Sequence, residues 1–190
     1  MITTFIWLAI AAALGVYVIL LYNGLVALKH GVAKAWSNID VLLKQRHDEL
    51  PKLVETCKQY MQFERKALEK IMAARAAANA AREKGDVKGV GQAESAMRLG
   101  LGNIIATVEA YPDLKANASI QQLLGRITGL ENAIADRREF YNEAVNLNNM
   151  RIEQFPDVIV ARLFGFGPAE LLVFSEEEKK DVDVRELFRN

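Results

Sequence analysis

The stretch Ile2-Thr3-Thr4-Phe5-Ile6-Trp7-Leu8-Ala9-Ile10-Ala11-Ala12-Ala13-Leu14-Gly15-Val16-Tyr17-Val18-Ile19-Leu20-Leu21-Tyr22 holds no Asp, Glu, Lys, Arg or His, and the first charged side chain is Lys29. A hydrocarbon core of about 30 Å takes about 20 apolar residues in an α-helix. The run is therefore long enough to cross a bilayer, and the rest of the chain reads as a body tethered to a membrane. A cleaved leader needs a basic first segment, a shorter apolar core and a small-residue cleavage site. No Lys or Arg precedes this run, and Tyr22, Asn23 and Leu25 follow it. The expectation is a retained anchor over residues 1–28, with lipid contact through residues 2–22. Lys29, Lys34, Lys44 and Arg46 lie after the run, which places the body on the cytoplasmic side by the positive-inside rule.

Beyond the anchor the apolar residues recur at threes and fours: Val32, Trp36, Ile39, Leu43, Leu50, Leu53, Val54, Cys57, Met61, Leu68, Ile71, Met72. That period is helical, and it predicts one helix from the anchor to about Arg82, kinked at Pro51. Gly85-Asp86 is a turn signal, and the glycine-bearing segment Val87 to Gly91 is expected to be loosely ordered. A second helix carries Ala93, Met97, Leu101, Ile104, Ile105 and Val108. Gly100 and Gly102 lie inside it, where close approach of a neighbour explains them. Tyr111-Pro112-Asp113 ends it. Asn117 or Ser119 caps a third helix with the stripe Ile120, Leu123, Leu124, Ile127, Leu130, Ile134, Tyr141, Val145 and Ile152, broken by Pro156. A short helix over Val158 to Phe164 and the Gly165-Phe166-Gly167-Pro168 turn complete the pattern. The fold class is all-α: an N-terminal transmembrane helix continuing into a long-helix antiparallel bundle, three long helices plus a short fourth. The bundle occupies residues 29–174, and residues 175–190 form a charged tail.

Composition narrows the chemistry. Lys plus Arg and Asp plus Glu both number 24 in 190 residues, so no net field draws nucleic acid. Arg137-Arg138, flanked by Asp136 and Glu139, reads as an ordinary charged helix face. One cysteine, Cys57, excludes an internal disulfide and a cysteine zinc site; its apolar neighbours make it a small buried hydrophobe. A bundle di-iron site needs Glu-x-x-His pairs. Ala27 and Lys44 stand three residues before the two histidines, His30 and His47, so no metal or cofactor is expected, and both histidines read as surface residues with ordinary pKa values. Phosphate-loop, dinucleotide and nucleophile-elbow signatures are absent.

Two features stand out from this background. Asparagine disfavours helix interiors, yet Asn142, Asn146, Asn148 and Asn149 crowd the third helix and Asn38 lies near Asp40 on the first. Hydrogen bonds between helices are the first reading, with Trp36, Asn38, Asp40, Arg46, Arg138 and Asn142 as the candidate network. The second feature is the apolar density from Phe155 to Phe174. Most of it is core, and Phe155, Leu163, Phe164, Phe166, Leu172 and Phe174 are the candidates for a surface facing a partner chain or the membrane interface.

The string Ala35-Trp36-Ser37-Asn38-Ile39-Asp40-Val41-Leu42-Leu43-Lys44-Gln45-Arg46-His47-Asp48-Glu49-Leu50-Pro51-Lys52-Leu53-Val54-Glu55-Thr56 resembles the signature of the LemA family. Glu109-Ala110-Tyr111-Pro112-Asp113-Leu114-Lys115-Ala116-Asn117, Arg138-Glu139-Phe140-Tyr141-Asn142-Glu143-Ala144-Val145, Phe155-Pro156 and Phe164-Gly165-Phe166 are similar in the same order. Glu49-Leu50 before Pro51, and Cys57, depart from the family pattern without threatening the fold. The resemblance implies a bacterial membrane protein with one N-terminal span, a long-helix bundle and no known enzymatic activity. The functional expectation is a noncatalytic scaffold of the bacterial inner membrane that binds itself or another membrane protein. The alternative is a small-ligand or signal-sensing module with a polar pocket between the first and third helices, enclosed by Asp40, Arg46 and Asn142.

Overall fold

A computed structural model describes residues 1–58 and 65–174. Every regular element among them is helical: α1 Ile2–Lys58, α2 Arg65–Lys84, α3 Val87–Ala110, α4 Pro112–Lys115, α5 Ala118–Glu153 and α6 Asp157–Phe164. The charged tail 175–190 lies outside the described residues, as does Met61 of the first apolar stripe.

The first expected helix resolves into two. His47 of α1 meets Asn79 of α2, and Val54 and Lys58 share a cleft with Leu68 and Met72. Numbers rise along one helix as they fall along the other, so α2 runs back along α1. Residues 59–64 contain neither Gly nor Pro, which is why periodicity alone carried the first helix through the reversal. Pro51 is contained within α1. The segment Val87 to Gly91, expected to be loose, is the first turn of α3. Asp86 caps it by accepting a hydrogen bond from the Gly89 N–H at 2.8 Å, while Gly85 takes the left-handed φ of 68° that turns the chain. A side-chain cap outweighs the helix cost of two glycines here.

The chain divides into two compact units. One comprises the described residues of 41–135 together with 172–174. Its core draws Leu50, Leu53 and Cys57 from α1, Leu68 and Ile71 from α2, Met97, Leu101 and Ile104 from α3, and Ile120 and Ile127 from α5. Each fully buried Leu or Ile contributes about 1.5–3 kcal/mol, so this layer of side chains holds the unit. Gly100 serves close packing, because a Cβ there would overlap Ile71. Gly102 does not: a Cβ there would meet nothing within 4 Å, contrary to the sequence expectation.

The other unit comprises residues 1–40 and 136–171. Its small core joins Leu21 and Leu25 of α1 to Ile152 of α5 and to Val160 and Ala161 of α6. Asn117 caps α5 through its side-chain oxygen, which accepts from the Ser119 and Ile120 N–H groups. Gly165 ends α6 with a φ of 71°. Among the described residues α1 is the one helix long and apolar enough to cross a membrane. Its apolar segment, from Ile2 through Leu20, stays exposed apart from Val18, which packs against this small core.

Candidate functional site

The buried stripe of α1 reads Ile39, Leu43, Arg46, Leu50, Leu53, Cys57, spaced by fours and threes. On α3 it reads Val90, Glu94, Met97, Leu101, Ile104, Val108, and on α5 Ile120, Leu124, Ile127 and Ile134, with half-buried Glu131 in the same register. This is the alternation by which helices pack knobs into holes. Each helix interrupts its stripe once with a charge, and the three charges meet. Arg46 pairs with Glu94 and with Glu131. Removing these ions from water costs several kcal/mol apiece, recovered only when each keeps its partner.

His47 extends the cluster to α2. Its Nε2 lies 2.9 Å from Glu94 Oε1 and its Nδ1 2.9 Å from the Asn79 carboxamide oxygen. The Arg75 Nε–H donates to the His47 carbonyl oxygen at 2.7 Å. Burial, together with Arg46, Arg82 and Arg75, lowers the His47 pKa to about 4 against a weaker lift from Asn79. The ring is therefore neutral at neutral pH, with one N–H to place. Its two nitrogens face the Glu94 carboxylate and the Asn79 carboxamide oxygen, which also accepts from the Arg82 guanidinium at 3.3 Å. Burial also lowers the Arg46 pKa, and Glu131 opposes that shift. The surface reading of His47 is corrected, since only 2% of the residue is exposed. Charge–charge contacts thus join α1, α3 and α5, and Asn79 joins α2 to them.

The sequence candidates are distributed as follows. Arg46 belongs to this cluster. Trp36, Asn38, Asp40, Arg138 and Asn142 belong to the unit of residues 1–40 and 136–171. There the Trp36 ring lies 5.4 Å from that of Tyr141, whose hydroxyl donates to the Glu170 carbonyl at 2.8 Å. Burial, then the Glu170 charge, raises the Tyr141 pKa. Asp40, Arg138 and Asn142 are half-buried and Asn38 is exposed. The asparagine run has one evident role. Asn149 accepts from the Ala169 N–H at 2.8 Å and donates to its carbonyl at 2.9 Å, pinning the chain after α6 to α5. Of the apolar candidates, Phe155, Leu163 and Phe164 are exposed, Phe166 packs on Tyr22, and Leu172 and Phe174 are buried. The sequence reading missed Glu94, Glu131 and Asn79. The legible signal was a charge at a stripe position, as at Glu94 between Val90 and Met97.

Residues 35–185 match the LemA family. The chain belongs to the LemA family. The match covers most of the chain, including every residue of the ionic cluster. Two curated relatives, Magnetosome protein MamQ 2 and Magnetosome protein MamQ 1 of Paramagnetospirillum magneticum (strain ATCC 700264 / AMB-1), are each 32% identical over 84 residues. That is 44% of this LemA-family chain but 30% of either relative, so the alignment spans under a third of their length.

Proposed function

We propose that this LemA-family protein is a membrane-anchored helical scaffold, without catalytic activity, that holds protein partners at the bacterial inner membrane. Other copies of itself are the first of those partners, and the bundle faces the cytoplasm. One observation carries the reading: α1 is a single helix whose first part is apolar and exposed and whose last part supplies Arg46 to a buried ionic lock. Such a lock specifies which helices pair and in which register. Its arginine, histidine and shared carboxylate are all buried, so they serve the architecture and not a substrate in solvent. The Lys and Arg residues that follow the apolar run support the cytoplasmic side.

The test is the mass of the full chain in mild detergent by light scattering with detergent correction, beside a variant lacking residues 1–28. The expected result is a defined assembly of several chains for the full-length protein. A single-chain mass for both rejects self-association as its working mode. A membrane fraction devoid of the intact protein rejects the anchor.

A further inference from the structure

Helix α6 has one face in the core and one face bare. Asp157, Val160 and Ala161 are buried, with Asp157 held by the Arg151 guanidinium at 2.7 Å. Ile159, Leu163 and Phe164 of α6 are exposed, and so is Phe155 in the turn just before the helix. Phe155 is 81% exposed and Leu163 75%. Four large apolar side chains on one short amphipathic segment are more than isolated surface exposure.

The place of α6 along α1 identifies what covers that face. The Phe164 ring meets the Tyr22 ring edge-on at 4.9 Å, and Phe166 meets it at 5.6 Å. Val18, Leu21 and Leu25 of α1 share a core with Val160 and Ala161. A helix rises 1.5 Å per residue, so Val18 and Leu25 are about 10 Å apart along its axis, the width of one helix. Thus α6 lies beside the last turns of the apolar run, at the level where Tyr22 ends it. Beyond Tyr22, Lys29, His30 and Lys34 precede the first acidic residue of α1, Asp40, so the exit is basic. Apolar side chains backed by cations at the end of a span match the boundary between acyl chains and headgroups, where amphipathic helices bury about 5–10 Å.

We infer that α6 is a second membrane contact, an interfacial helix that inserts Phe155, Ile159, Leu163 and Phe164 into the bilayer surface beside the exit of α1. The inference rests on residues 2–22 crossing the membrane. With that span in place, α6 is at the surface without any further movement. The headgroup boundary also accounts for Tyr22, an aromatic of the kind that sits at headgroup level, packed against Phe164, the last residue of α6.

The experiment uses the full chain in a Cys57→Ser background, reconstituted in vesicles of phosphatidylcholine and phosphatidylglycerol. A small environment-sensitive fluorophore is placed in turn at Leu163→Cys, at Leu14→Cys within the span, and at Leu99→Cys, an exposed site on α3. Nitroxide lipids labelled just below the headgroup or deep in the acyl chain act as quenchers, and iodide probes water. The expected result is several-fold stronger quenching at Leu163 than at Leu99 by the shallow nitroxide, with Leu14 quenched by the deep one. Quenching at Leu14 with none at Leu163 overturns the interfacial helix while leaving the span. Shielding of Leu163 from both lipid nitroxide and iodide overturns it in favour of a covering protein copy. No quenching at Leu14 removes the span and the inference with it.

Discussion

Arg46 of α1 and Glu94 of α3 take equivalent places in two helices: each replaces an apolar residue of its core stripe with a charge, and the two side chains pair in the interior. Glu131 of α5 joins them from the third stripe. A buried ion that loses its partner is costly, whereas replacing a whole buried ionic group by apolar residues is often neutral. Glu94→Gln is therefore expected to destabilise the bundle by about 3–5 kcal/mol. Glu131→Gln, at a side chain with 18% exposure, should cost less. Replacing the whole group, Arg46→Met, His47→Leu, Glu94→Leu and Glu131→Leu together, should recover most of the loss. Denaturation of the full chain in detergent, followed by helix content, measures all three; a silent Glu94→Gln would show that the lock carries no stability.

His47 makes the stability depend on pH. Its pKa falls from 6.5 in the unfolded chain to about 4 in the fold. Between these values the unfolded state binds more protons, so the fold loses stability as pH drops through that window and keeps its full contribution above it. The shift corresponds to at most about 3 kcal/mol. Ordinary carboxylates titrate near the lower end, so the informative quantity is the difference from His47→Gln. That difference should vary between pH 6.5 and 4 and be flat from pH 7 to 8. A difference constant across the whole range would show that His47 does not change its protonation on unfolding.

Two glycines of α3 should respond in opposite directions to alanine. A Cβ at Gly91 would overlap the carbonyl oxygen of Val173, a backbone atom that cannot turn aside. Gly91→Ala is expected to lower the thermal midpoint and to loosen the segment carrying Leu172 and Phe174. Gly102 faces open space, and Gly102→Ala should stabilise by up to about 1 kcal/mol through helix propensity and a less flexible unfolded chain. Equal effects at the two positions would contradict the packing of Val173 on α3.

Cys57 lies in the core of the unit of residues 41–135, and burial raises its thiol pKa to about 11. Alkylation by iodoacetamide at pH 8 should be slow in the folded protein and fast in denaturant, since the thiolate is the nucleophile. Labelling rates then report opening of the bundle. Glu94→Gln should accelerate them, and fast labelling of the intact fold would place the thiol at the surface.

Much of this was legible in the residues. The unbroken apolar run marked the one helix among the described residues long and apolar enough to cross a membrane, and the three-four spacing of Ile39, Leu43, Leu50 and Leu53 marked the bundle. Asn117, Pro156 and Gly165 bounded their helices as side-chain caps and backbone limits require. That α2 runs back along α1 was not legible, because residues 59–64 contain neither Gly nor Pro and the apolar period continues on both sides. The site was half legible. Arg46 stood out, but its partners lie far along the chain, and their signal was a charge in an apolar register, which resembles a surface residue until helices are superposed. His47 was misread for the same reason: a histidine on a mixed helix gives no local sign of which face is covered.

Both units are assembled from segments distant in sequence: residues 1–40 need 136–171, and 41–58 needs 118–135. Synthesis delivers the N-terminal part first. Leu21, Leu25 and Arg46 therefore leave the ribosome long before Val160, Glu94 or Glu131 exist to meet them. The hydrophobic run is ready for the bilayer while the rest is still being made, and neither core closes until α5 has emerged. Translation thus sets an order of events, with the apolar segment of α1 complete ahead of packing, and under the proposed anchor the bundle matures on a chain already tethered.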